Sequence, residues 1–401
     1  MKILIVNVGS TSLKFKLFDM PSERVLASGG VEGIGQPSSR YRFGADGGLS
    51  KEGEAHFDGY LPAIQTLMRF LTAEGGVLPD LGALDAVGFK VVMGGGIMGP
   101  VELSEDVLAV MEEFSLLAPT HNPPYIAAIR TFREALPRTP LIGLFEPAFH
   151  QTMPEYAWRY AVPWDWAEKY GIRRYGYHGA SHRYIAGRAA DFPGGAPAAR
   201  RIISCHLGGS SSLCAIRDGQ SIDTSMGWTP QSGVLHSTRP HDLDPFIPLY
   251  LIKKAGMSVE DVVRVFCRDC GLKALSGVSG EMRDVLAAAE GGHERARLAV
   301  ESFCYGVKKQ IGAYVAALGG VDVLVFTGGI GERSPEIRAL VCDGLECMGI
   351  VLDREKNAAA VPDCAIEADR SRARILALAT NEELIVARVA SGWLQREGGE
   401  S

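Results

Sequence analysis

A five-residue string occurs twice in this chain. Gly9-Ser10-Thr11-Ser12-Leu13 at residue 9 returns at residue 209 as Gly209-Ser210-Ser211-Ser212-Leu213. The flanks match as well. Ile3-Leu4-Ile5-Val6 leads into the first copy, and Ile202-Ile203-Ser204-Cys205 leads into the second. Lys14–Asp19 follows one, and Cys214–Gly219 the other. Each copy reads as an apolar strand, a Gly/Ser turn, a second strand and an Asp turn, which is a β-hairpin pattern. Shared context favours internal duplication, and a duplicated chain folds as two versions of one architecture. The length, 401 residues, suits two or three domains of about 100–200 residues each.

Composition narrows the class. Hydrophobic residues make up 46% and charged residues 22%, as in ordinary globular proteins. Lys+Arg total 41 and Asp+Glu 47, so the net charge of -6 argues against a general nucleic-acid binder. No apolar run approaches the roughly 18–20 residues that cross a bilayer. Polar residues return by Asn7, too soon for a signal-peptide core, so a cytoplasmic protein is expected. The eight cysteines lie between Cys205 and Cys364, often in apolar runs, and read as reduced core thiols. Cys267-Arg268-Asp269-Cys270 has CxxC spacing but no second pair or nearby histidines, so a structural reading is preferred to a zinc or redox one.

The repeated turn has a use. Glycine lets a ligand approach the backbone, and the Ser/Thr run offers amide and hydroxyl donors, so such a turn can cradle phosphate. Two ordinary tight hairpins are the alternative. The next element is a strand and GxxxxGK[ST] is absent, so this is no P-loop. Ser104 predicts a cap for a helix over 105–117, Asn122-Pro123 opens another through Leu136, and 295–318 reads as a long helix. Val321–Phe326 is a buried strand running into Thr327-Gly328-Gly329-Ile330-Gly331-Glu332-Arg333, with Ser334-Pro335 as the cap and first residue of a helix. A strand, a glycine turn and a helix start form the ligand crevice of open α/β sheets. Phe192–Pro197 is the clearest loop, and the domain seam is expected near Glu146–Pro163.

Several segments together resemble the acetate kinase family, within the larger group of sugar kinases, heat-shock ATPases and actin. They are Asn7–Phe15, Ala118–Pro123, Ala148–Pro154, Tyr170–Tyr184, Asp223–Gly227, Phe326–Glu332 and Thr380–Leu384, spread over the whole chain. The resemblance implies an α/β, duplicated two-domain actin-like ATPase fold. Each domain has a βββαβαβα core, with the active site in a cleft between them. The expected domains are 1–150, completed by a C-terminal helix at about 385–401, and 151–384. It also implies phosphorylation of acetate by ATP with Mg²⁺, through in-line attack of a carboxylate on the γ-phosphorus, and a homodimer without nucleic-acid or membrane partners. By the same resemblance Asn7 and Glu382 would help hold the metal, and Ser10, Ser12 and Lys14 would meet the transferring phosphate. The loop His206, Leu207, Gly208, Gly209, Ser210 would take the other phosphates. Glu281, Met282 and Arg283, with Gly328, Gly329, Ile330, Gly331 and Arg333, would hold the nucleoside. Arg239 would clamp the transferring group as a planar fork, and His178 would donate a hydrogen bond to the transition state.

The departures from the family pattern are specific. The substrate-carboxylate arginine is Lys90, which keeps the charge and loses the fork. A catalytic aspartate is Glu146, one methylene longer. The usual asparagine of the adenosine turn is Arg333. In the acyl pocket Val92 and Pro230 are retained, while a leucine is Thr120 and a phenylalanine is Tyr177. Two added hydroxyls suggest an acceptor with a polar substituent, since a buried hydroxyl wants a partner. Three readings therefore stand: an acetate kinase; the same fold with propionate, a hydroxylated acid or a pyrophosphate donor; and a catalytically weak nucleotide-binding protein. His121, His150 and His182 read as buried, hydrogen-bonded histidines in preference to catalytic ones, His206 can be read either way, and Lys14 reads equally as a solvent-facing strand residue.

Overall fold

The computed structural model describes residues 1–193 and 200–397. The loop expected at Phe192–Pro197 falls, from residue 194 on, outside the described residues, as does the chain end after 397. Two compact units result: Met1–Ala148 together with the stretch from Asn381, and Phe149–Thr380.

The first unit holds an eight-stranded sheet. Its strands are β1 (Lys2–Gly9), β2 (Ser12–Asp19), β3 (Arg24–Glu32), β4 (Ser39–Ala45), β5 (Ser50–Ala55), β6 (Ala86–Val91), β7 (Pro100–Glu102) and β8 (Leu141–Phe145). They lie in the order β5-β4-β3-β2-β1-β6-β8-β7. β1, β6 and β8 are mutually parallel, and the other pairings are antiparallel. The second unit holds a six-stranded sheet of β9 (Arg201–His206), β10 (Ser212–Arg217), β11 (Gln220–Thr224), β12 (Val323–Thr327), β13 (Cys364–Ala365) and β14 (Arg374–Ala377). Its order is β11-β10-β9-β12-β14-β13, with β9, β12 and β14 parallel. Strand for strand, 3-2-1-6-8-7 corresponds to 11-10-9-12-14-13. The duplication written in the two Gly/Ser turns is a duplication of sheet topology.

Alternation along the strands sorts the two faces of the first sheet. Leu4, Val6, Val8, Leu13, Phe15 and Leu17 point to a core shared with the helices Tyr60–Leu71 and Asn122–Ala135. The other face carries Ile5 and Gly88, over which the helix Glu382–Glu397 is laid. A Cβ on Gly88 would stand 2.7 Å from Ile5 Cδ1 and 3.1 Å from Val386 Cγ1, so glycine lets the helix sit low. In the second unit the long helix Glu294–Leu318 packs on β9 and β10, and the helix Gly179–Ala190 on β9 and β12.

Local signals explain most boundaries. Ser104 Oγ accepts from Val107 N and starts Glu105–Glu113, which then tightens into a 3₁₀ turn at Phe114–Leu116 instead of running on to 117. Ser334 caps Pro335–Cys342 by accepting from Ile337 N. The expected glycine turn after β12 is instead a short helix, Gly328–Arg333.

Candidate active site

The carboxyl ends of the parallel strands are where an open α/β sheet binds ligands, and both sheets gather the singled-out residues there. In the first unit Asn7 lies near the end of β1, Lys90 near the end of β6, and Glu146 directly after β8. Asn7 and Lys90 stand two residues beyond Ile5 and Gly88, hence on the face under the helix Glu382–Glu397. The first turn of that helix meets them. Lys90 Nζ is 3.2 Å from Glu146 Oε1 and is also ion-paired with Glu382. Burial opposes the charge on Lys90, but Glu382 and Glu146 outweigh it and hold the ammonium well above its ordinary range. Asn7 Nδ2 donates to Glu383 Oε1 at 2.9 Å, and Lys16 Nζ donates to Glu383 Oε2.

A magnesium ion needs oxygen ligands, and this end of the first sheet offers them. Asn7 Oδ1 is buried without a hydrogen-bond partner, oriented by the bond its own amide makes to Glu383. Glu382 stands one residue away on the same helical turn. Among the described residues no group of three or more His, Cys, Asp or Glu side chains is arranged to hold a metal alone. Magnesium commonly takes one or two protein oxygens and fills its octahedron with water and phosphate, so the residues fit it. Ser10, Ser12 and Lys14 lie on the β1–β2 hairpin, with Ser10 exposed at its tip and Lys14 paired across the ladder with Asn7. Lys14 also lines an open groove of about 600 Å³ with Gly30, Arg40 and Arg42.

In the second unit the lining of a cavity of about 610 Å³ includes Gly208, Gly209, Glu281, Met282, Arg283, Gly329, Ile330 and Arg333, together with Ser237, Leu286, Ala287, Glu290, Ser334 and Glu336. The first eight are residues to which the family resemblance assigns nucleotide contacts, whereas His206, Leu207, Ser210, Gly328 and Gly331 are not part of the lining, and the volume suits a nucleoside-sized ligand. Leu207 anchors the wall. Its N–H donates to Thr327 O at 2.8 Å, and its carbonyl accepts from Ile330 N and Gly331 N. Gly328 sits at φ +75°, where a Cβ would come within 2.7 Å of Leu207 O. Glu332, which the sequence reading passed over, ties this end together. Its Oε1 accepts from Gly328 N at 3.1 Å and from Thr380 N at 3.2 Å. Its place four residues after Gly328, one turn along a helix, was the available signal.

Ser237, also in the cavity wall, donates its N–H to Gly209 O at 2.9 Å. Two residues on, Arg239 is half-buried, with Nη1 donating to Pro230 O at 2.7 Å. It has no ion pair among the described residues. Burial pulls its guanidinium down to about 10, and the nearby Cys267 thiol only partly offsets this. The CxxC segment supports this loop through its backbone: Cys270 N donates to Thr238 O, and Thr238 Oγ1 donates to Cys267 O.

His178 precedes the helix Gly179–Ala190 and adopts the left-handed region at φ 56°, a conformation costing roughly 1–2 kcal/mol for a side chain with a Cβ. Its ring stacks on His206 with centroids 4.2 Å apart, and its Nδ1 is 2.8 Å from Ser212 Oγ. His206 Nδ1 is 2.8 Å from Ser181 Oγ. Behind them His150 and His182 are fully buried. Burial lowers His150 to about 4, and His150 Nε2 donates to Tyr177 O at 3.0 Å.

Of the residues to which the resemblance assigns the acyl pocket, Val92 and Thr120 belong to the first unit and Tyr177 and Pro230 to the second. Both added hydroxyls have partners within their own unit. Tyr177 Oη donates to Trp228 O at 2.7 Å, and Thr120 Oγ1 lies 3.0 Å from His121 Nδ1.

A profile described as the Acetokinase family matches residues 2–388. A protein named acetate kinase from Coprothermobacter proteolyticus is 46% identical over 398 residues, covering 97% of this chain and 98% of its own. The crystal structure of Porphyromonas gingivalis acetate kinase superposes with a TM-score of 0.87 at 38% identity, covering 98% of this chain and 99% of that one. That of a propionate kinase from Francisella tularensis gives 0.88 at 35% identity, covering 97% and 98%.

Proposed function

The chain belongs to the acetokinase family, and from that membership we propose that it transfers the γ-phosphoryl group of ATP to acetate, giving ADP and acetyl phosphate. A carboxylate is a weak but sufficient nucleophile for this reaction. The protein's task is to position two anions in line and to neutralise the charge on the transferring group. The observation that carries the reading is the pairing of the 610 Å³ cavity with Arg239. That guanidinium is half-buried, is tied to one carbonyl, and follows a residue of the cavity wall by two positions.

In this reading the cavity takes the nucleoside, with Met282 and Ile330 as its apolar surface and Arg333 in place of the usual asparagine. The amides and hydroxyls from Gly208 to Ser210, together with Ser10, Ser12 and Lys14, take phosphate oxygens. Arg239 meets the transferring group bidentately. His178 donates to a phosphoryl oxygen. Lys90, in the place of the family's arginine, donates a hydrogen bond to the acceptor carboxylate, with its charge offset by Glu146 and Glu382. Magnesium, held through Asn7 and Glu382, would supply charge neutralisation at the phosphates.

Acetate is the preferred acceptor here. A polar acceptor was suggested by Thr120 and Tyr177, yet each hydroxyl already has a hydrogen-bond partner in its own unit. No helix among the described residues is long and apolar enough to cross a membrane. The helix Phe246–Lys254 buries none of its residues and exposes Phe246 and Tyr250, an apolar surface suited to a homodimer.

The test is a hydroxamate assay of acyl phosphate, run with formate, acetate, propionate and lactate against ATP, GTP and pyrophosphate. ATP with acetate should give the highest kcat/KM. Nucleotide binding without acyl phosphate from any carboxylate would replace this reading with a binding protein.

A further inference from the structure

Ser212 ends the second copy of the repeated turn, and by sequence it belongs with the phosphate-binding hydroxyls. Its surroundings are different. The residue is fully buried, and its Oγ lies 2.8 Å from His178 Nδ1 and 2.8 Å from His182 Nε2. On the far side of His182, Nδ1 is 2.9 Å from Ser204 Oγ. Ser204 and His182 are also fully buried, and the hydroxyl of Ser204 has no other partner among the described residues. The four groups form one line: Ser204, His182, Ser212, His178.

The direction of the protons along this line follows from counting donors. A hydroxyl has one proton, and a neutral imidazole has one N–H. Burial holds His182 neutral, well below its ordinary range, with His150 and His206 nearby adding to the effect. Suppose Ser204 O–H donates to His182 Nδ1. His182 Nε2–H then donates to Ser212 Oγ, and Ser212 O–H donates to His178 Nδ1. Every buried proton has an acceptor. Reversing the line strands the Ser204 proton. Letting both imidazoles donate to Ser212 strands the Ser212 proton. An unmatched donor in a dry interior is the costly fault, so the first order prevails.

We infer that Ser204, His182 and Ser212 are a buried, proton-ordered chain that fixes His178 as its Nε2–H tautomer, which makes Ser212 a positioning residue for the phosphoryl transfer. The functional half rests on the reading above, in which His178 donates to a phosphoryl oxygen. A neutral ring with its N–H at Nε2 can make that donation without carrying charge. The left-handed backbone at His178 and the stacking set where the ring lies, and the chain sets which nitrogen holds the proton.

The full-length protein labelled with ¹⁵N-histidine tests this directly. Long-range ¹H–¹⁵N correlation separates the two neutral tautomers, and His178→Gln identifies the signals of residue 178. The wild type should show a protonated Nε2 and a bare Nδ1. Ser212→Ala should give mixed tautomers and lower kcat by about 10–100-fold, the size typical of groups that orient a functional imidazole from behind, with the nucleotide KM nearly unchanged. Ser212→Thr, which keeps the hydroxyl, should recover most of the loss. If Ser212→Ala fails to fold, Ser204→Ala breaks the same line one link back and is read the same way. An Nδ1–H tautomer in the wild type, or an unchanged tautomer in the alanine variants, overturns the chain. His178→Ala judges the kinase reading separately: unchanged kcat overturns the role of His178 in the reaction, whatever the tautomer result.

Discussion

Lys90 and Arg239 are both partly buried cations, and they are held in opposite ways. Lys90 faces Glu146 and Glu382 and is internally neutralised. Among the described residues Arg239 has one carbonyl partner and no ion pair, so an anionic ligand would complete its charge. An arginine that neutralises a transferring phosphoryl group contributes on the order of 10³–10⁵ to kcat. We therefore expect Arg239→Ala to lower kcat by about 10³-fold or more in steady-state assays. Arg239→Lys should regain little, because a point charge does not replace a fork. Near-normal turnover in the alanine variant would remove Arg239 from the reaction. Both cations stand in recognisable strings, so their positions were legible in the sequence. Their wiring was not. Glu382 and Glu383 are neighbours on one helix and differ by about 100° around its axis. Only the seating of that helix on β1 and β6 decides that Glu383 holds the Asn7 amide while Glu382 meets Lys90.

Among the elements, the junction of β9 with β12 is the most tightly specified. Leu207 N and O are both engaged with the end of β12 and the helix that follows. Gly328 passes so close that only glycine fits, at φ +75° and with Leu207 O 2.7 Å from where a Cβ would be. Gly328→Ala should destabilise the protein by roughly 1–3 kcal/mol, combining left-handed strain with a backbone clash, and should raise the nucleotide Kd, since Gly208 and Gly329 line the cavity on either side of this contact. Calorimetry and nucleotide titration measure the two effects, and a wild-type Tm with wild-type affinity would contradict the account. The Ser334-Pro335 start and the two hairpins could be read beforehand because caps and turns are local. The short helix at Gly328–Arg333 could not, because three glycines in six residues give no helical propensity. It forms because Leu207 O and Glu332 Oε1 satisfy its first amides. The Ser204–His182–Ser212 line was hidden for a related reason: serines inside strands read as polar surface until burial is known.

For the whole molecule, the repeat foretold two related sheets, but not where their covering helices come from. The segment after β8 supplies Gly179–Ala190, which packs on β9 and β12. The segment after β14 supplies Glu382–Glu397, which packs on β1 and β6. Periodicity shows that a helix has an apolar face, not which sheet receives it. The two units also differ in how they should respond to acid. The unit Phe149–Thr380 contains three fully buried imidazoles, whereas the other unit has no fully buried histidine among the described residues. Burial lowers His150 to about 4 and His236 to about 3, and it holds His182 well below the ordinary range. In the unfolded chain each would titrate near 6.5. Below that pH the unfolded state takes up protons that the native state refuses, so acidification favours unfolding. The stabilisation is complete above about pH 6.5 and is lost progressively as pH falls toward 4 and 3, amounting to roughly 3 kcal/mol for His150 alone. Tm should therefore fall from pH 7 to 4.5, in a range mostly above the ordinary carboxylate titrations. Amide exchange should rise first in β9, β10 and β12, with β1, β2 and β6 still protected. A Tm flat between pH 7 and 5, or earlier exchange in the first sheet, would show that these histidines do not govern the acid response.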